Sequence, residues 1–113
     1  MNGNPTKKQK DFHDWCREQG CIISGDIPVI HHIKGSKMKL KGCDKPGEWY
    51  VIPLADKYHS PYSKNSVHEN KKQFERDWMT EKQLWIELMK KYERQFNELP
   101  LSFNEYQIIK ERA

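Results

Sequence analysis

A chain of 113 residues has the length of one ordinary domain, and with only 35% hydrophobic residues it can build no more than a thin core. Its 12% aromatic content argues against disorder, no apolar run reaches bilayer length, and a net charge of +4 permits a nucleic-acid partner without requiring one. The stretch from Met1 to Lys8 lacks the apolar middle of a secretory leader, and three cysteines make no even disulfide framework, so a cytoplasmic protein away from membranes is expected.

In chain order, residues 7–19 read as a helix with Phe12, Trp15 and Cys16 on one face and Gly20 as its natural stop. His13, taken alone, reads as a surface histidine. Cys21-Ile22-Ile23 is a short apolar run, Ser24-Gly25-Asp26 a turn, and Val29–Ile33 a strand entered by Pro28. A lysine-rich loop follows, in which Gly35, Gly42, Pro46 and Gly47 resist regular structure. Trp49–Leu54 is the second strand, bounded by Pro53, and Pro61 makes 59–65 a loop.

Ser66-Val67-His68-Glu69 has the form of a capping box that opens a helix ending near Met79. Thr80–Gln83 is a second such box, starting a long helix to about Leu99. Its stripe of Trp85, Leu88, Met89, Tyr92, Phe96 and Leu99 is read as core packing. Pro100 breaks that helix, and Ser102–Glu105 caps a final short one. The expected organisation is one α+β domain over 1–113: an N-terminal helix (1–20), a core of two strands and a helix (21–79), and C-terminal helices (80–113).

Four of the five histidines fall at three places that this reading brings together. His31 and His32 end one strand, His59 ends the next, and His68 lies in the first turn of a helix. Imidazole is the commonest metal-binding side chain, and three neutral ligands leave a coordination position open, as a catalytic site requires. At a helix N-terminus the partial positive charge would keep His68 neutral and would favour a phosphate nearby. Neighbouring residues of a strand point to opposite faces, so His31 and His32 divide their labour: one holds metal, the other is free to take a proton. Cys16 and Cys21 read as core residues and Cys43 as a free thiol; a second zinc held by Cys21, Cys43 and a histidine is the less favoured alternative.

From Cys21 to about Trp85 the chain resembles the HNH (ββα-metal) endonuclease superfamily. It looks most like the recombination-enhancement (Ref-type) RecA-dependent nucleases and their phage and prophage relatives. The stretches that carry the resemblance are Gly20-Cys21-Ile22-Ile23, Ile30-His31-His32-Ile33-Lys34-Gly35, Tyr50-Val51-Ile52-Pro53-Leu54 with Tyr58-His59, and Val67-His68-Glu69-Asn70-Lys71-Lys72-Gln73-Phe74-Glu75 followed by Trp78-Met79-Thr80-Glu81.

The resemblance implies a ββα-metal core with a two-stranded hairpin and an enzyme that hydrolyses DNA phosphodiesters. It implies His31, His59 and His68 as ligands of one divalent ion; the ligand preference of imidazole makes zinc the ion expected as bound, with magnesium or manganese as alternatives for activity. It implies His32 as the general base and a RecA-like recombinase as a partner. Tyr50 stands where many HNH sequences have the middle Asn, so another group must orient the base. Ser24 stands where relatives complete a Cys-x-x-Cys pair. In this setting Lys34, Lys37, Lys39 and Lys41, then Lys71 and Lys72, are the expected phosphate contacts, giving salt-dependent affinity without sequence reading. The alternatives are a noncatalytic zinc-stabilised DNA- or partner-binding module on the same scaffold, and a helical adaptor acting through residues 80–113.

Overall fold

The computed structural model describes residues 4–113; Met1, Asn2 and Gly3, part of the N-terminal stretch considered above, lie outside the described residues. The order of elements is α1 (Lys7–Gln19), β1 (Pro28–His32), α2 (Pro46–Trp49), β2 (Val51–Ala55), α3 (Asp56–His59), α4 (Lys71–Asp77), α5 (Glu81–Phe96) and α6 (Phe103–Arg112). Helices and an antiparallel hairpin together make an α+β fold. Among the described residues no helix is long and apolar enough to cross a membrane.

Helix α1 starts at Thr6, whose side chain accepts from the Gln9 amide while the Gln9 side chain returns a bond to the Thr6 N–H. It stops at Gly20, whose φ of +81° belongs to the region that side chains rarely occupy. A Cβ there would stand 2.5 Å from the Gly25 carbonyl oxygen, so the chain turns back at the one residue that allows it. The turn delivers Ile22, whose N–H donates to the Pro53 carbonyl at 2.9 Å.

Strands β1 and β2 pair with His31 opposite Ile52 and His32 opposite Val51. All five residues of β2 are buried, because the strand packs against both α1 and α5. A strand covered on both faces reads as a continuous apolar run rather than an alternating one. Pro53 therefore does not bound the strand: it lies opposite Ile30, and β2 runs on to Ala55, opposite Pro28. In a sheet of two strands each strand has an edge where a missing N–H breaks no ladder bond.

Several expectations are corrected. Trp49 is not in the strand but ends α2, with Pro46 in the first turn, where a proline costs the helix nothing. Gly47 is needed there because a Cβ would collide with the Gly35 carbonyl oxygen. His59 does not end β2; it closes the single-turn helix α3. Helix α4 begins at Lys71, capped by Asn70, so Ser66–Glu69 is a turn before the helix rather than its first turn. The Ser66 hydroxyl both donates to the Ser60 carbonyl and accepts from the Glu69 N–H at 3.1 Å, which uses the capping chemistry to close a loop. Helix α5 ends at Phe96, with Asn97 in the left-handed region, and Phe96 is exposed rather than core.

One core holds these elements together. Trp85 of α5 is fully buried, donates its indole N–H to the Trp49 carbonyl at 2.8 Å, and meets the Tyr50 ring edge-on at 5.2 Å. Tyr106 of α6 stacks on it at 5.4 Å. Trp85→Ala removes a fully buried indole and orphans a buried carbonyl, so urea unfolding should register a loss of about 3–5 kcal/mol; a loss below about 1 kcal/mol would contradict this account of the core.

Candidate active site

Three elements converge on one point of the hairpin. His31 is buried on β1, His59 is half-buried at the end of α3, and His68 is exposed in the turn before α4. Their ring centroids lie 5.1 Å (31–59), 5.1 Å (31–68) and 4.7 Å (59–68) apart, and one ring nitrogen from each falls within 4.8 Å of the others. The Nε2 atoms of His59 and His68 are 3.3 Å apart. A tetrahedral site with metal–nitrogen bonds of about 2.0–2.1 Å sets its ligand nitrogens roughly 3.3–3.4 Å apart. The donor set therefore fits a divalent transition metal, with a graded exposure that leaves one side open to solvent. Burial, then the neighbouring His31 and His68 rings, push the His59 pKa below its ordinary value, which favours the neutral, ligating form.

His68 gains nothing from a helix dipole, since α4 starts after it. Its position comes instead from the backbone: the Val67 N–H donates to the Tyr58 carbonyl at 2.8 Å, tying the residue before His68 to the residue before His59. The loop is closed further by Ser66 and by the Asn65 N–H, which donates to Glu69 Oε2 at 2.7 Å.

Glu81, the first residue of α5, supplies the support that the sequence reading missed. Its Oε2 accepts from His31 Nε2 at 2.6 Å, and its Oε1 lies 3.4 Å from Lys71 Nζ. Because Nε2 is taken, Nδ1 is the nitrogen His31 has left for a metal. A carboxylate behind a ligating imidazole fixes ring orientation and tautomer and strengthens the ligand. Burial alone pushes the Glu81 carboxyl up, but the His31 bond and Lys71 hold it below the usual carboxylate range. The signal in the sequence was a glutamate at the first position of a capped helix, which is also the commonest place for a merely solvated acid.

His32 points to the other face of β1. Its Nε2 donates to Glu48 Oε1 at 2.7 Å, and its ring meets that of His13 edge-on at 6.0 Å. Glu48 is buried in α2. His13 is buried too, correcting its reading as a surface residue: Nε2 donates to the Glu48 carbonyl at 2.7 Å, and burial pushes its pKa down. Gln9, Phe12, His13 and Cys16 share one helical face at i, i+3, i+4 and i+7, a pattern that could have placed His13 inside.

The expected DNA-contacting lysines are spread out. Lys34, Lys37, Lys39 and Lys41 are exposed in the loop between β1 and α2, and three of them line a cleft of about 670 Å³ with Met38, Leu40 and Pro46. Lys71 is held at Glu81, the carboxylate that backs His31, while Lys72 is exposed on α4. Cys16 and Cys21 are buried as expected. Cys43 lies 3.6 Å from Glu105, and burial with that carboxylate pushes its thiol up to about 12. Among the described residues no cysteine joins a metal-binding group.

The chain matches no family model, no curated protein and no solved structure.

Two measurements test this geometry. Glu81→Gln keeps the size of the side chain but removes its charge, so zinc affinity measured against a competing chelator should fall about 10–100-fold; parent-like affinity would remove Glu81 from the site. The second concerns pH. His13 and His59 are both lowered from 6.5, so the unfolded chain binds protons there that the folded chain refuses. Their contribution is complete above about pH 6.5 and is lost as pH falls below it. Metal-free protein should therefore unfold at lower urea on the acid side of that value, less so in His13→Gln; a flat profile would oppose the assignment.

Proposed function

We propose that the protein is a metal-dependent DNA endonuclease of the HNH (ββα-metal) type, resembling the recombination-enhancement nucleases of phages and prophages. The observation that carries the reading is the division of two adjacent histidines. His31 turns into a cluster of three imidazoles, while His32 turns away to a buried carboxylate with its second nitrogen uncommitted.

In this reading His31, through Nδ1, and His59 and His68, through Nε2, hold one divalent ion. Zinc suits the imidazole donors best, with manganese and magnesium as alternatives. When bound, the ion supplies Lewis-acid stabilisation of the charge that develops on the phosphoryl oxygens and the leaving group. The proton chemistry belongs to His32. Its Nε2–H is fixed by Glu48, so Nδ1 is the acceptor that removes a proton from water as its oxygen attacks phosphorus in line. The bond from phosphorus to the 3′ oxygen breaks, and the leaving oxygen takes a proton from solvent water, giving a 5′ phosphate and a 3′ hydroxyl. The carboxylate of Glu48 then faces the imidazolium and stabilises it. It takes the orienting role for which Tyr50, buried in the core, is unsuited.

The lysines of the β1–α2 loop and Lys72 bind the DNA backbone, and Lys71 sets a positive charge where the scissile phosphate would approach the histidines. The reading specifies no base contacts. A recombinase of the RecA kind is the partner suggested by the resemblance, and the cytoplasm is the compartment that suits DNA and free thiols.

Plasmid nicking with added zinc, manganese or magnesium tests the reading. The parent should nick only with metal. His32→Ala should lose about 10²–10⁴-fold in rate while retaining its bound ion, and Glu48→Gln should lose less. Cleavage by His32→Ala at the parent rate would falsify the role given to that ring.

A further inference from the structure

We propose that His13, His32 and Glu48 form a second, weaker divalent-cation site on the face of β1 opposite the three-histidine centre, with a preference for zinc-class ions. One ring nitrogen from each histidine and a Glu48 oxygen all lie within 4.8 Å of one another. Two neutral imidazoles and one carboxylate are a donor set that transition metals accept and that magnesium and calcium, which prefer oxygen, do not. The donors come from three separate elements, α1, β1 and α2, so no single helix or loop accounts for their meeting.

Electrostatics separate this cluster from the first one. Both contain a buried carboxylate, and an uncompensated buried charge is costly. Glu81 has Lys71 within 3.4 Å. Glu48 has no lysine or arginine within 4.0 Å among the described residues; imidazoles are its only ion-pairing neighbours. A cation is the missing counter-charge. The distances are close to what it needs: His32 Nε2 and His13 Nε2 stand 2.7 Å and 4.0 Å from Glu48 Oε1, on either side of the roughly 3.3 Å edge of a tetrahedral site. His32 is partly exposed, which gives an ion a way in from solvent.

Occupation has a definite cost. His13 Nε2 now donates to the Glu48 carbonyl. To bind metal there, the ring moves its proton from Nε2 to Nδ1 and gives up that bond. His32 likewise moves its proton from Nε2, which turns from Glu48's donor into a ligand. Neither change releases a proton to solvent overall. The lost hydrogen bonds make this site the weaker of the two, filled only after the three-histidine centre. If the nuclease reading holds, filling it also ties up His32, so zinc in excess of the first equivalent would slow cleavage.

The test is metal stoichiometry of the folded full chain, by native mass spectrometry and by titration with cobalt, whose absorption reports donor number and type. The parent should take two zinc ions at saturation. His59→Ala should keep one and lose the other, and His13→Gln, whose amide can still donate to the Glu48 carbonyl, should also hold one. Glu48→Gln provides the same result through a different donor, should His13→Gln fail to fold. Saturation of the parent at one ion, or retention of two by folded His13→Gln or Glu48→Gln, overturns the proposal. These counts do not depend on cleavage, so an absence of nicking with two bound ions would defeat the nuclease reading alone. Nicking that excess zinc leaves untouched, with one bound ion, would defeat the second site alone.

Discussion

The arrangement depends on the two-residue repeat of a single short strand. Consecutive side chains on β1 must leave the backbone on opposite faces, so the dipeptide His31-His32 cannot send both rings to one place. His31 is delivered to the half of the molecule built by α3, the turn before α4, and α5. His32 is delivered to the half built by α1 and α2. Pairing with β2 fixes the register, and with β2 packed into the core a slip of one position in β1 would carry each histidine to the other's face. The separation of the two histidines is thus enforced by the core.

Each face adds a carboxylate that backs its histidine. Glu81 stands behind His31 and Glu48 behind His32, each through Nε2. The two supports are mechanically linked. Trp85, one helical turn beyond Glu81, donates to the carbonyl of Trp49, the residue after Glu48. The bond that anchors α5 in the core therefore also sets the spacing of the two acids. The C-terminal helices are consequently packed into the frame that holds Glu81 against His31. Lys71 completes the difference between the faces, since it balances Glu81 while Glu48 has only imidazoles around it.

Much of the local structure was legible because its causes are local. Helix α1 occupies the expected 7–19, and Thr80 and Ser102 cap α5 and α6, because each is decided by a side chain bonding a backbone group three residues away. The same logic misled at Ser66. The Ser-x-x-Glu pattern is present and its hydroxyl does accept from the Glu69 N–H, yet the Ser60 carbonyl also claims it, and the helix waits for Asn70. Pro53 and Trp49 were misplaced for a related reason. A proline tolerated on an edge and a strand shielded on both faces are properties of what packs alongside, which no window of sequence contains.

The amino-acid order alone singled out His31, His59 and His68, which the fold brings together, and it determined that neighbours 31 and 32 must part company, because alternation along an extended backbone is obligatory. Folding decided the partners. Glu48, Glu81 and the buried His13 gain their meaning from atoms 16, 50 and 35 positions away. A buried acid and a solvated one look identical in one dimension. Only packing, by removing water and bringing an imidazole within hydrogen-bonding reach, turns the first into part of a site.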